Sequence, residues 1–202
     1  MSTTIAAPLP TFFADASVAR FSVDWYDRLI ADGHLTPDNR VELLENYVVQ
    51  KMAGNPPHDS TISFVHEVLT DALPNGWCVR GQLTVALPDS RPEPDVAVCR
   101  GRLRDYSTRH PAAADVGLVV EVANTSLLRD QRDKARIYAR GGIVCYWIVN
   151  LDERRVEVHT QPSGPCDSPA YASVVNVAAP DAVPFVLDGV QVATILVADL
   201  LP

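Results

Sequence analysis

Three pieces of sequence decide the fold: PEPDVAVCR (92–100), GLVVEVANTSLLRDQRDKARIYARGG (117–142) and IVCYWIVN (143–150). The start of the second piece and the whole of the third are nearly continuous apolar runs, typical of strands that are covered on both faces. The charged segment between them predicts a helix over residues 130–140 that ends at a glycine pair. A strand, a crossover helix and a second strand predict two parallel neighbours in one sheet.

Two carboxylates stand on these apolar strands. Asp95 follows a proline at the start of one strand, and Glu121 lies among valines in the middle of the next. As a strand-initiating turn residue, Asp95 would be unremarkable, but a buried glutamate has to be paired or liganded to offset its desolvation. If the two strands are neighbours, both carboxylates can hold one hard divalent ion such as Mg²⁺, which suits phosphodiester hydrolysis.

Lys134 is the third residue of interest in this region. It lies four residues after Asp130 and four before Tyr138, so the three side chains share one face of the predicted helix. A surface salt bridge between Asp130 and Lys134 is the simpler interpretation. The alternative is that Lys134 points over the sheet towards the two carboxylates, where its charge could hold a water molecule or a phosphate.

The rest of the chain supplies further elements on both sides of this region. We expect a helix from Ser22 towards Gly33, a hairpin that turns at Asn46, and a second helix over residues 58–73. Strands are expected over residues 77–87 and 95–100. Peripheral strands are expected after residue 150, with a hairpin at the Asp-Gly pair 188–189 and a short helix or 3₁₀ segment at the end. This order predicts an α/β (α+β) fold with a mixed central sheet, flanking helices and extra peripheral strands.

Length and composition bound the domain organisation. The chain has 202 residues, of which 47% are hydrophobic and 21% charged, as in an ordinary globular protein with one sizeable core. Residues 1–20 are rich in alanine, proline and threonine and are predicted to form a flexible N-terminal arm. Residues 21–202 are predicted to form a single domain.

The formal net charge of −8 disfavours a protein that coats nucleic acid by general electrostatic attraction. Two local segments are nevertheless basic, residues 100–110 and 129–140. Because they flank the acidic strands, they are compatible with a phosphate-lined cleft. The simpler interpretation is that they are solvated faces of a loop and a helix.

The cysteines indicate the cellular compartment of the protein, and the histidines indicate whether it binds zinc. The four cysteines occur singly, without CxxC spacing, which favours free thiols in a reducing cytoplasm. The N-terminus does not resemble a signal peptide, and no apolar run is long enough to span a membrane. We therefore expect a cytoplasmic, soluble protein. The five histidines have no HxxxH or HExxH spacing, so a zinc site is not expected.

Taken together, the motifs PEPDVAV, VVEVANTSLLRDQRDK, IYARGGI and YWIVN, preceded by ELLENYVVQKM and NPPH, resemble the Uma-type restriction endonucleases. These are members of the PD-(D/E)XK nuclease superfamily. The resemblance covers residues 21–199 and rests on the succession of motifs. It implies a restriction-endonuclease-like core over the predicted domain and a nuclease site that depends on Mg²⁺ or Mn²⁺.

The resemblance also assigns residues by position. Asp95 matches the aspartate of the family's PD motif, and Glu121 matches the glutamate of its second acidic motif. Glu42 matches a glutamate that opens the family's first hairpin, although Glu45, beside the same turn, is the alternative. Two accessory positions follow: Gln82 on the strand before the PD motif and His58 at the start of the second helix. For His58, a capping or packing role of a neutral ring is weighed against a general base.

The sequence departs from the superfamily pattern at one position. A lysine is expected two residues after the glutamate, where this chain has Ala123. Uma-type proteins commonly carry a lysine on the following helix instead, which matches Lys134, with Asp130 beside it as a further accessory residue. The resemblance therefore implies that the lysine has moved.

Three hypotheses follow. The first is a metal-dependent endonuclease that hydrolyses phosphodiester bonds in DNA, with Asp95 and Glu121 holding the metal, Glu42 assisting and Lys134 placing the water. The second is a nuclease-fold protein that no longer cuts and acts as a nucleic-acid-binding or assembly module, which the acidic charge and Ala123 favour. The third is that the charges on the strands are only structural. A homodimer is compatible with all three, because peripheral strands could pair across a two-fold axis.

Overall fold

A computed structural model describes residues 19–202 of the chain. The predicted N-terminal arm, residues 1–20, lies outside the described residues except for its last two positions.

The centre of the fold is a six-stranded mixed sheet with the order β3-β4-β5-β6-β7-β8. Its β5–β6 pair is parallel and its other pairs are antiparallel. The predicted strand, crossover helix and parallel strand are confirmed. The strands span Trp77–Gly81 (β3), Val96–Arg100 (β4), Val116–Ala123 (β5), Cys145–Asn150 (β6), Arg155–Pro162 (β7) and Tyr171–Ala178 (β8).

Three helices accompany the sheet: α1 (Val23–Ala31), α2 (Pro56–Ala72) and α3. Helix α3 consists of three consecutive segments: an α-turn at Leu127–Arg129, a π-turn at Asp130–Lys134 and an α-helix at Ala135–Gly141. It begins three residues before the prediction, because the backbone carbonyl of Ser126 accepts hydrogen bonds from the amides of Arg129 and Asp130.

Alternation along the buried strands divides the core into two layers. On β5, Val119 and Ala123 face the layer that contains α3, whereas Leu118, Val120 and Val122 face the layer that contains α2. All eight residues of β5 are buried, as the apolar run predicted. Because side chains alternate, Glu121 faces α3 together with Val119 and Ala123.

Two hairpins lie outside the central sheet. The first joins β1 (Val41–Leu44) to β2 (Tyr47–Gln50) through Glu45 and Asn46, which both have positive φ angles, of 49° and 67°. That conformation explains why asparagine, which tolerates the left-handed region, stands at the predicted turn. The second hairpin joins β9 (Ala182–Leu187) to β10 (Val190–Leu196) through the predicted Asp-Gly turn.

Two predicted elements were wrong in extent. The strand expected over residues 77–87 ends at Gly81, because Gln82 has a φ of 49° and turns the chain out of the sheet. Gln82 therefore lies beyond β3 rather than on it. At the C-terminus, the first part of the expected short helix continues β10, and the 3₁₀ segment covers only Val197–Leu200.

Two simpler features complete the fold. All four cysteines are free, two of them buried. Within residues 19–202, no helix has the length and apolar character needed to cross a membrane.

The two-layer core predicts where truncation is costly. Leu118 on β5 is fully buried, whereas Leu103 lies on a 3₁₀ turn with 59% of its surface exposed. Leu118→Ala should lower the free energy of unfolding by about 2–5 kcal/mol through lost burial and a cavity. Leu103→Ala should change it by less than about 0.5 kcal/mol. Urea denaturation of both variants measures the difference, and equal losses would contradict this description of the core.

Candidate active site

A cleft of about 810 Å³ opens beside the carboxyl-terminal half of β5, between the β1–β2 hairpin, α2 and α3. It collects every residue that the sequence singled out as a site candidate. They are Glu42, His58, Gln82, Asp95, Glu121, Asp130 and Lys134.

Asp95 and Glu121 meet because their strands pair. The antiparallel register of β4 and β5 sets Val96 against Val120, so Asp95, one residue before β4, lies near Glu121, one residue after Val120, and its charge acts on that carboxyl. One oxygen of Asp95, Oδ2, accepts a hydrogen bond from the amide of Val122 at 2.9 Å.

Glu121 is almost fully buried, with 4% of its surface exposed. Its Oε1 atom accepts hydrogen bonds from Lys134 Nζ at 2.8 Å and from the Tyr138 hydroxyl at 2.6 Å. Burial raises the pKa of Glu121 to about 8; Lys134 opposes the rise, and the nearby carboxylates of Asp95 and Asp130 add to it. Burial is therefore the main reason why this carboxyl group binds its proton more tightly than a free glutamate does.

Lys134 provides the central positive charge. Its side chain is buried between Glu121, at 2.8 Å, and Glu42, at 3.5 Å. Burial alone would lower its pKa, but the carboxylates of Glu121, Glu42 and Asp130 prevail and raise it above the ordinary value. Lys134 thus remains an ammonium ion that faces the carboxylates. The simpler expectation of a surface salt bridge with Asp130 was wrong, since this face of α3 is covered by the sheet.

The β1–β2 hairpin contributes Glu42 to the cleft and keeps Glu45 outside it. Glu42, 1% exposed, pairs with Arg129 and accepts a hydrogen bond from the amide of Glu93 at 3.2 Å. Glu45 instead pairs with Arg136 and Arg140 farther along α3. Of the two alternatives at this turn, the structure places Glu42 at the cleft.

These pairs also show what the second basic segment does. Arg129, Arg136 and Arg140 hold the hairpin against α3, and Arg140 also binds Asp89 at 2.9 Å. These three side chains are neither freely solvated nor free of carboxylate partners, and Arg129 also lines the cleft.

His58 lies at the first turn of α2, where its ring Nε2 is 3.5 Å from Asp95 Oδ2. The capping role belongs to Asn55, whose side chain accepts a hydrogen bond from the His58 amide at 3.2 Å. The hydrogen bond to Asp95 raises the pKa of His58 to about 9, with burial opposing and Asp59 contributing. The expectation that His58 caps the helix was therefore wrong, and the carboxylates of Asp95 and Asp59 favour the charged form of its ring.

The two remaining candidates lie on the wall of the cleft. Asp130 is 3% exposed and accepts a hydrogen bond from the Ser126 hydroxyl at 2.6 Å. Burial raises its pKa to about 6, although Lys134 and Ser126 oppose the rise. Gln82 is exposed at the cleft rim, and its backbone N–H donates a hydrogen bond to the backbone carbonyl of Asp95 at 3.0 Å.

The π-turn of α3 coincides with the site. π-turns are rare and often occur at functional sites, since they change the direction of side chains within a helix. Here Gln131, inside the turn, donates to both carboxylate oxygens of the buried Glu157 on β7 at 2.9 Å. The contact fixes the turn against the sheet and keeps Asp130 and Lys134 directed into the cleft.

The sequence did not single out three residues that shape this site. Tyr138 was recognised only as sharing a helix face with Lys134, and Arg129 and Ser126 only as parts of a polar segment. The spacing of Tyr138 from Lys134 predicted that the two side chains share a helix face. It could not predict that the tyrosine hydroxyl is buried beside Glu121, because that contact depends on how α3 packs on the sheet.

The carboxylate oxygens of Asp95 and Glu121 are the possible metal ligands of the cleft. Among residues 19–202, no hydrogen-bond donor reaches Asp95 Oδ1 or Glu121 Oε2, and no group of three or more His, Cys, Asp or Glu residues is arranged to hold an ion. Two carboxylates with one oxygen each available match the way proteins bind Mg²⁺, with water and phosphate completing the coordination. The residues present therefore fit a hard divalent ion.

Comparisons with known proteins identify the family and the fold. The sequence model described as "Uma2: Putative restriction endonuclease" matches residues 23–193 of the chain. A crystal structure from Anabaena variabilis, described as a putative nuclease belonging to DUF820, aligns with a TM-score of 0.65 and 15% sequence identity. The alignment covers 89% of this chain and 97% of the other. No curated protein sequence matches the chain significantly.

The chain thus shares its fold with that Anabaena protein, as the resemblance to the family implied. The chain belongs to the Uma2 family, since the family's model matches most of its length.

The buried pair of Lys134 and Glu121 generates a stability prediction. Lys134→Met leaves Glu121 buried without its cation and should lower the free energy of unfolding in metal-free buffer by about 3–5 kcal/mol. Adding Glu121→Gln to the same chain should restore most of that loss, because the uncompensated charge is removed.

The matched control is Lys51→Met. Lys51 pairs with Glu93 at 2.6 Å, but both side chains remain 27% exposed, so the loss should be at most about 1 kcal/mol. Urea denaturation of the natural chain, Lys134→Met, Glu121→Gln and their combination forms the double-variant comparison, with Lys51→Met measured beside them. Strictly additive losses for Lys134→Met and Glu121→Gln would show that the two residues are not coupled.

Proposed function

We propose that the protein is a metal-dependent endonuclease that hydrolyses phosphodiester bonds in DNA, with Asp95 and Glu121 as the residues that hold Mg²⁺ or Mn²⁺. The observation that carries the proposal is the closeness of these two carboxylates at neighbouring strands, each with one oxygen that no hydrogen-bond donor of residues 19–202 reaches. Membership of the Uma2 family supports the same reaction class.

The ion, when bound, would stabilise the negative charge that develops on the phosphate and lower the pKa of the attacking water. The protein residues supply the other parts. Lys134 keeps its proton because three carboxylates surround it, so it acts as a donor to water or phosphate rather than as a base. Glu42, held by Arg129, keeps the Lys134 ammonium directed towards Glu121.

The remaining candidates have accessory roles in this proposal. His58 is protonated while it faces Asp95, so it contributes positive charge near the phosphate rather than accepting a proton. Asp130 adds to the electric field that holds Lys134 in its charged form. Gln82 at the rim is placed to contact the substrate.

A non-cleaving binding or assembly module is the second candidate function. It is favoured by Ala123, which stands where the superfamily pattern has a lysine, and the ion pairs of Arg129, Arg136 and Arg140 favour its assembly form over its nucleic-acid-binding form. The net charge of −8 points in the same direction.

A homodimer suits the first function, since two sites can cut both strands of a duplex. Strand β8 stands at the edge of the central sheet with Val174 and Val175 half exposed. An edge strand that pairs antiparallel with its own copy forms a symmetric interface.

The test is cleavage of supercoiled plasmid with Mg²⁺ or Mn²⁺ by the natural chain and by an Asp95→Ala, Glu121→Ala double variant. We expect metal-dependent nicking that chelation abolishes and that the double variant lacks. A control with Glu67→Ala and Asp71→Ala, two exposed carboxylates on α2, should cleave like the natural chain. A structured RNA in a parallel reaction separates DNA from RNA as the substrate.

Equal cleavage by the natural chain and the double variant would sink the proposed site. If neither protein cleaves but the natural chain retards plasmid migration, the binding module becomes the better account. Thermal unfolding of each protein beforehand ensures that a loss of cleavage reports on the site.

A further inference from the structure

We infer that Tyr138 is a positioning residue that makes Glu121 a one-oxygen metal ligand and thereby favours Mg²⁺ and Mn²⁺ over Ca²⁺. The inference rests on the proposed function, since it concerns the ion that Glu121 would bind.

The two carboxylate oxygens of Glu121 differ in their hydrogen bonds. The Tyr138 hydroxyl and Lys134 Nζ both donate to Oε1, at 2.6 and 2.8 Å. In residues 19–202, no hydrogen-bond donor reaches Oε2. With Oε1 held by two donors, Oε2 is the oxygen that remains for a cation.

The position of the Tyr138 hydroxyl is set by the core rather than by solvent. Tyr138 is fully buried, and its ring packs against Tyr146 with centroids 5.0 Å apart. Burial, followed by the charge of Glu121, raises the pKa of Tyr138 well above its ordinary value, so the group stays a hydrogen-bond donor. A rigid donor of this kind fixes the rotation of the Glu121 carboxylate, as outer-shell partners of metal ligands do.

A one-oxygen glutamate has a consequence for ion selectivity. Mg²⁺ takes six ligands in a compact octahedron and uses carboxylates sparingly, whereas Ca²⁺ takes six to eight oxygens and often binds both oxygens of a carboxylate. Because Tyr138 and Lys134 occupy Oε1, two-oxygen binding by Glu121 is blocked. Removing the tyrosine hydroxyl weakens that block while leaving the aromatic ring in the core.

The experiment is calorimetric titration of the full metal-free chain with Mg²⁺, Mn²⁺ and Ca²⁺, separately. Tyr138→Phe should weaken Mg²⁺ and Mn²⁺ binding about tenfold, the lower end of the effect typical of outer-shell partners. The ratio of the Ca²⁺ affinity to the Mg²⁺ affinity should rise by about the same factor. A residue that only stabilised the fold would lower all three affinities together.

Tyr171→Phe is the matched control. Tyr171 is also buried, but its hydroxyl donates to the backbone carbonyl of Ile143 at 2.9 Å, away from the carboxylates. This variant should bind all three ions like the natural chain. Thermal unfolding of both variants shows whether removal of either hydroxyl disturbs the fold.

The outcomes separate this inference from the proposed function. If the natural chain binds Mn²⁺, Glu121→Ala abolishes binding, and Tyr138→Phe keeps the natural affinities and ratio, the role of Tyr138 is overturned while the metal site stands. Tighter binding of Ca²⁺ than of Mn²⁺ by the natural chain also overturns it, whatever the variant does. If the natural chain binds no ion, the metal site fails and the inference fails with it.

Discussion

The structure around the cleft depends on one constraint: a carboxylate placed in the middle of a fully buried strand has to be compensated. An uncompensated charge in such a position is strongly unfavourable, and it draws a cation or takes up a proton. Glu121 shows both effects, since Lys134 lies 2.8 Å away and burial nevertheless raises the pKa of Glu121 to about 8. A cation bound at the same carboxylate would compete with that proton.

Much of the surrounding architecture serves to bring that lysine to the glutamate. Helix α3 crosses over β5 because β5 and β6 are parallel, and a π-turn directs Lys134 inwards. Gln131 secures the turn on Glu157, and the arginines of the same helix hold the β1–β2 hairpin in place. The hairpin in turn supplies Glu42, the second carboxylate that pairs with Lys134. Three arginines of α3 form ion pairs with the carboxylates of this hairpin.

The sequence predicted the parts of this arrangement that depend on local pattern. The continuous apolar runs identified β5 and β6, and the glycine pair after residue 140 marked the end of α3. Glu121 stood out because charges are rare on such strands, whereas Asp95 gained its weight from the family resemblance. Lys134 was reached mainly through the family resemblance, because its helical spacing also suited a surface pair with Asp130.

The parts that the sequence did not predict depend on tertiary packing. Gln82 adopts a left-handed backbone conformation, which glutamine does not prefer. The sequence therefore predicted a strand that continues past Gly81. The charge state of His58 follows from its distance to Asp95, a residue 37 positions away on another element. The hydroxyl of Tyr138 became relevant only once α3 lay on the sheet.

The central claim is that Asp95 and Glu121 share one divalent ion. Anomalous diffraction from crystals soaked in Mn²⁺ tests it most directly. The account predicts one strong anomalous peak in the cleft, about 2 Å from Asp95 Oδ1 and from Glu121 Oε2, with Lys134 outside the coordination sphere. A peak bound without either carboxylate, or a cleft without a peak in a crystal that shows Mn²⁺ elsewhere, would contradict it.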